Sequence, residues 1–139
     1  MNNLVDKLKH SIDNRIMTDM EQIESVIQLY IDSMDESNSE KVKTAFHENG
    51  KVVGYLHGDF MQMSVDDFAG FVASQQPAPK EKGEDVEFET LLCEILGTTA
   101  LVKVRDKYLG ITFVDILSFI KVDDEWKIYN KLFHVESEK

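Results

Sequence analysis

The chain has a single cysteine, Cys93, so no disulfide can form within it. Two prolines and seven glycines in 139 residues exclude a linker-rich or collagen-like polymer. No apolar run approaches the roughly 20 residues a helix needs to cross a bilayer. Basic residues are in deficit too: 15 Lys and Arg against 26 Asp and Glu leave a formal charge of -11. Nucleic acid is held by clustered Lys and Arg. Here the densest group, Lys103, Arg105 and Lys107, alternates along one strand, as a solvated sheet face does. Nucleic acid and anionic membranes are therefore not expected partners. His10, His47, His57 and His134 are dispersed without ligand spacing, so no metal is expected. Neither a glycine-rich phosphate loop nor a Gly-x-Ser-x-Gly elbow occurs, and no cofactor is expected. The segment Met1–Asp19 mixes Lys7, Lys9 and Arg15 with Asp6, Asp13 and Asp19, unlike an export signal, which points to a cytoplasmic protein.

What is present is ordinary globular material, 42% hydrophobic and 29% charged, enough for one domain over residues 1–139 with its core in 20–135. Residues 1–19 form a leader or an extra amphipathic helix through Leu4, Val5, Leu8, Ile12 and Ile16. Ile23, Val26, Ile27, Tyr30, Ile31 and Met34 recur at helical spacing from about Glu21 to Asp35. A short helix capped at Ser37 should carry Val42, Ala45 and Phe46 and stop near Asn49-Gly50. A hairpin turning at Gly58 follows, then a helix capped by Ser64, with Asp67 three residues on and Pro77 and Pro79 beyond its end. The segment Pro77 to Gly83 reads as a mobile loop. Turns at Gly97-Thr98, Leu109-Gly110 and Asp123-Asp124 divide Val86 to Val135 into four long strands. Cys93 alternates with Leu91 and Ile95, as a small core residue would.

Asp115 stands out. Side chains alternate along a strand, so Phe113, Asp115, Leu117 and Phe119 share one face. A carboxylate so flanked must be paired, hydrated or protonated, because an isolated buried charge is too costly. An uninterrupted ladder counted from Val122 opposite Glu125 sets Asp115 against Leu132, Leu117 against Asn130 and Phe113 against His134. One face then carries Val102, Val104, Phe113, Asp115, Leu117, Phe119, Ile128, Asn130 and His134. The other carries Lys103, Arg105, Ile116, Ser118, Tyr129, Lys131 and Phe133, and Lys131 is expected at a subunit contact. Asp115 is the leading acid or base, with His134 as its proton-transfer partner. Asn130 offers a neutral hydrogen bond. Phe113 and Leu117 supply apolar lining. Tyr30, Tyr55 and His47 can reach the pocket, although core packing serves the tyrosines equally well and helix capping serves His47. Met61 and Met63 plug the base of the fold.

The order of these parts resembles the nuclear transport factor 2-like (SnoaL-like) superfamily, and within it the group of putative lumazine-binding proteins. The residues that carry the resemblance are Tyr30-Ile31-Asp32-Ser33-Met34, Ala45-Phe46-His47, Val53-Gly54-Tyr55 with Gly58, Thr112-Phe113-Val114-Asp115, Trp126-Lys127-Ile128 and Asn130-Lys131-Leu132-Phe133-His134. The resemblance implies an α+β, cone-shaped barrel: a strongly bent, mostly antiparallel sheet wrapped around about three helices, with a pocket at the wide end. It also implies a homodimer joined through the outer sheet face. Three functions fit: a small-molecule-binding protein with a mostly apolar cone, a cofactor-free isomerase or dehydratase using Asp115 and His134, and a dimeric interaction module. Binding leads, because nothing in the sequence marks an oxyanion site.

Overall fold

The computed structural model describes residues 17–138, so the expected leader helix through Leu4 to Ile16 lies outside the described residues. Helix α1 (Asp19–Asp35) starts at Thr18, whose side chain accepts from the Glu21 N–H while Glu21 reaches back to the Thr18 N–H. Its stripe of Ile23, Ile27, Tyr30, Ile31 and Met34 is buried. Helix α2 (Ser39–Ala45) is capped by Asn38, not Ser37. Ser37 instead takes a positive φ of 51° and donates to the Gln75 carbonyl.

The chain leaves α2 earlier than its sequence suggests. Phe46 is already extended, and strand β1 (Phe46–Leu56) runs through Asn49-Gly50 without a helical stop. Gly50 is needed there for space. A Cβ on it would lie 2.5 Å from the Tyr129 carbonyl oxygen of the neighbouring strand. Strand β2 (Asp59–Ser64) returns from Gly58. Helix α3 (Val65–Ser74) begins in the capping box of Ser64 and Asp67. The segment expected to be mobile is anchored: the Lys80 and Val86 N–H groups donate to the carbonyl and carboxylate of Asp35, and Ala78 is buried.

Four long strands follow: β3 (Glu87–Leu96), β4 (Thr99–Tyr108), β5 (Ile111–Val122) and β6 (Glu125–Ser137). The curved sheet has the order β2-β1-β6-β5-β4-β3 and stays open. Its one parallel pair, β1 with β6, is flanked by antiparallel pairs. The core forms between the helices and one sheet face, where Val102, Val104, Leu117, Phe119 and Ile128 meet Ile23, Ile27, Val42 and Val72. On the outer face Arg105 donates to Glu136 at 3.0 and 3.2 Å and to Glu89 at 2.8 Å, tying β4 to β6 and β3.

One irregularity decides what the pocket contains. Pairing runs regularly from Val122 opposite Glu125 to Phe119 opposite Ile128, then jumps to Ser118 opposite Asn130. Tyr129 is the extra residue of a β-bulge, and the residues of β6 from Asn130 to Val135 change face; a second shift follows at Glu136. Asp115 faces Phe133, Leu117 faces Lys131, and Val114 faces His134. The expected register is thus corrected by one residue. Lys131 and Phe133 turn inward; Asn130 and His134 turn outward.

Candidate functional site

Strands β4, β5 and β6 bring an unusual set of groups to the interior. Extending the inward alternation of Val102 and Val104 by two and four residues reaches Asp106 and Tyr108. Asp106 is 2% exposed and Asp115 0%. They are diagonal neighbours on the β4–β5 pair, because Val104 opposes Asp115 and Asp106 opposes Phe113. The bulge adds Lys131, whose exposure is 6%. Helix α1 adds Tyr30, whose hydroxyl donates to Asp115 Oδ2 at 2.9 Å.

Lys131 Nζ stands 4.0 Å from Asp115 Oδ2, an ion pair without a direct hydrogen bond. It also lies 4.9 Å from the centre of the Tyr30 ring and 4.7 Å from that of Phe68. Both aromatic faces are within cation–π range of the amine. Among the described residues, both carboxyl oxygens of Asp106, Asp115 Oδ1 and the Tyr108 hydroxyl are buried without a conventional partner. Two ionised carboxylates can only repel. One proton shared between Asp106 and Asp115 turns the same oxygens into a donor and an acceptor. Burial raises the Asp106 carboxyl well above the usual range and contact with Asp115 adds to it, while Lys131 opposes the rise. Asp106 is therefore the protonated member of the pair. Burial also raises the hydroxyls of Tyr30 and Tyr108, with the carboxylates reinforcing the effect at Tyr30, so both remain O–H donors.

Above this cluster is an apolar pocket of about 90 Å³. Lys131 and Tyr108 are its polar lining, and Met61, Phe68, Phe113 and Phe133 are among its apolar walls. Phe113 and Phe133 meet edge to face at 5.8 Å. Gly54 sets this wall: a Cβ there would come within 2.5 Å of the Phe133 carbonyl oxygen and 2.7 Å of its ring. Met63 lines the pocket beside Met61, where both were expected as a plug at the base.

The residues singled out from the sequence are thus dispersed. Asp115 and Tyr30 belong to the cluster, and Phe113 to the pocket wall. Leu117 is fully buried in the core one step along from Asp115. Asn130 is half-buried and His134 exposed on the outer face, the reverse of the side expected for both. His47 sits at the start of β1, accepting from the Asn49 N–H at 3.1 Å and stacked 5.0 Å from Tyr129. Tyr55 is 62% exposed on the hairpin, against Phe60 at 5.6 Å, and turns away from the cavity. Asp106, Tyr108 and Lys131 were missed as interior residues of the site. For the first two, the alternation of β4 already carried the signal.

The family model described as putative lumazine-binding matches residues 18–134. A curated relative, the aldolase FrzH of a Cladobotryum species, is 29% identical over 107 residues, covering 76% of this chain and 82% of that protein. Similar solved structures include an NTF-2 like protein of unknown function from Silicibacter pomeroyi DSS-3. It has a TM-score of 0.78 at 18% identity, covering 84% of this chain and 95% of that one. An NTF2-like protein of unknown function from Methylobacillus flagellatus KT gives a TM-score of 0.76 at 24% identity, over 86% of this chain and 93% of that one. These structures carry the same fold.

Proposed function

The chain belongs to the putative lumazine-binding family within the NTF2-like fold, and from that premise we propose that its cone binds a small, mostly apolar carbonyl compound and moves a proton on it without a cofactor. The observation that carries this reading is the buried Tyr30–Asp115–Asp106–Lys131 cluster lying under an apolar pocket. Buried ionisable groups destabilise a fold unless fully paired, and here both Asp106 oxygens, Asp115 Oδ1 and the Tyr108 hydroxyl lack an ordinary partner. Perturbed groups of this kind concentrate where chemistry occurs. Lys131 and Tyr108 face the ligand and hold its carbonyl oxygen. Asp115, backed by the protonated Asp106, exchanges the proton on the carbon beside that carbonyl. Asp115 keeps the acid–base part expected of it, and its partners become Asp106 and Lys131 in place of His134.

The relative that acts as an aldolase supports carbonyl chemistry, because aldol reactions begin with the loss of such a proton. The test is deuterium uptake from D2O into the α-carbons of a panel of small cyclic ketones, followed by NMR. Uptake above the buffer rate, abolished by Asp115→Asn, is expected. A ligand that binds with no uptake across the panel would leave only the binding half of the reading.

The outer sheet face supports a homodimer. Leu101, Ile116 and Leu132 are each more than a third exposed there, beside the half-buried Asn130. Sedimentation of the wild type against Leu132→Glu tests this, with a dimer converted to a monomer as the expected result.

A further inference from the structure

We propose that Lys131 is a covalent catalyst, forming an imine with the carbonyl carbon of the ligand; this rests on the carbonyl reading above and goes beyond it. Among the described residues Lys131 is the only buried lysine. Its amine lies at the pocket, between two aromatic rings, beyond hydrogen-bonding distance of its carboxylate partner. A lysine stripped of water in an apolar site is the form in which the amine attacks carbonyls. Imine formation also needs proton donors and acceptors within reach, and here they are Asp115, Asp106 and Tyr108.

The step balances without an oxidant or reductant. Asp115 takes a proton from the Lys131 ammonium, freeing the lone pair on Nζ. That pair forms the C–N bond, and the carbonyl π pair moves to oxygen, which takes a proton from Tyr108. Tyr108 is reprotonated from the carboxyl pair. The nitrogen, now carrying two protons, gives one to the carboxyl pair, which passes it to the new hydroxyl; the oxygen leaves as water as the freed nitrogen lone pair forms C=N. Ammonium and ketone have become iminium and water. Asp115, ionised again, removes the α-proton, and the released electron pair runs onto nitrogen to give an enamine. For a β-hydroxy ketone the bond broken is C–C in place of C–H: the β-hydroxyl loses its proton to Asp115, the electron pair again flows to nitrogen, and an aldehyde or ketone fragment departs. Protonation at carbon and addition of water release the second fragment and restore the lysine. The ligand class is therefore a small apolar ketone or β-hydroxy ketone.

The direct experiment uses the full-length wild-type protein with cyclopentanone and sodium cyanoborohydride near pH 7, followed by peptide mapping. An irreversible adduct concentrated on Lys131, at least tenfold above any exposed lysine, is expected. Lys131→Met should lose that adduct, and Tyr108→Phe should slow its formation by about tenfold or more. Labelling spread evenly over surface lysines with Lys131 unmodified would overturn the proposal. Because that result is read on the wild type, it does not depend on any variant folding. Deuterium exchange into the same ketone separates the two ideas. Exchange without an adduct at Lys131 removes the imine and leaves proton transfer standing, whereas neither exchange nor adduct removes both.

Discussion

Replacing Asp106 by Asn tests whether the interior cluster holds a proton at neutral pH. Asn has the shape of a protonated Asp and can donate to Asp115, so the substitution imitates the neutral form while removing the titration. In the wild type the Asp106 carboxyl is raised well above its ordinary value of 3.8, chiefly by burial. The folded state therefore binds a proton that the unfolded state gives up. Its contribution to stability is fully present below the unfolded value and is lost as pH rises toward the folded one. Within that window the loss approaches about 1.4 kcal/mol for each pH unit. As pH rises from 5, Asp106→Asn should then gain progressively on the wild type. Urea denaturation of both proteins at pH 5, 6, 7 and 8 reads the difference directly, because every other titrating group cancels to first order. The reasoning is refuted if Asp106→Asn is destabilised by a constant amount, about 3–5 kcal/mol, at every pH. That pattern would make Asp106 an ionised partner of Lys131 and move the shared proton elsewhere.

The other expectations follow from the same geometry. Tyr30→Phe removes the 2.9 Å donor to Asp115 Oδ2 and should cost about 1–3 kcal/mol in urea denaturation, since the oxygen left behind is buried. Lys131→Met strips the cation from Asp115. It should cost about 3–5 kcal/mol in urea denaturation, because it leaves a buried carboxylate without its ion-pair partner. Gly54→Ala places a methyl group 2.5 Å from the Phe133 carbonyl oxygen; a loss of about 1–3 kcal/mol is expected, with weaker binding of small ketones as Phe133 is driven into the pocket. Asp19 accepts from Trp126 Nε1 and Lys121 Nζ, both at 3.0 Å, and these bonds hold its carboxyl below the usual range, the Trp126 bond most. Its stabilising effect should persist above the ordinary value of 3.8 and fade as pH falls through the lower folded value. Fluorescence of Trp126, the only tryptophan, should show an acid transition that Asp19→Asn removes.

How far the sequence reaches is clear from individual residues. Helix α1 and the Ser64 capping box were legible because both depend on neighbours within four positions. Asp115 was legible because a charge in an apolar alternation violates a local rule. The far half of β6 was not. Its face depends on one extra residue, Tyr129, and nothing in Ile128-Tyr129-Asn130 distinguishes a bulge from a regular strand. The information lies elsewhere in the chain: Gly50 gives the Tyr129 carbonyl room to approach β1, and Gly54 does the same for Phe133. Both glycines had local explanations, as a helix stop and as part of a hairpin, and the local explanation for Gly50 was wrong.

The consequence is chemical as well as geometric. Counting from the hairpin without the bulge puts His134 opposite Phe113 and diagonal to Asp115, and assigns Lys131 to a dimer contact. Counting through it puts an amine beside Asp115 and exposes His134 to solvent. A carboxylate–imidazole site moves protons only. A carboxyl pair with a buried amine can move protons and also hold a carbonyl covalently. The position of one unpaired residue in β6 therefore separates two reaction classes, and cyanoborohydride trapping at Lys131 distinguishes them.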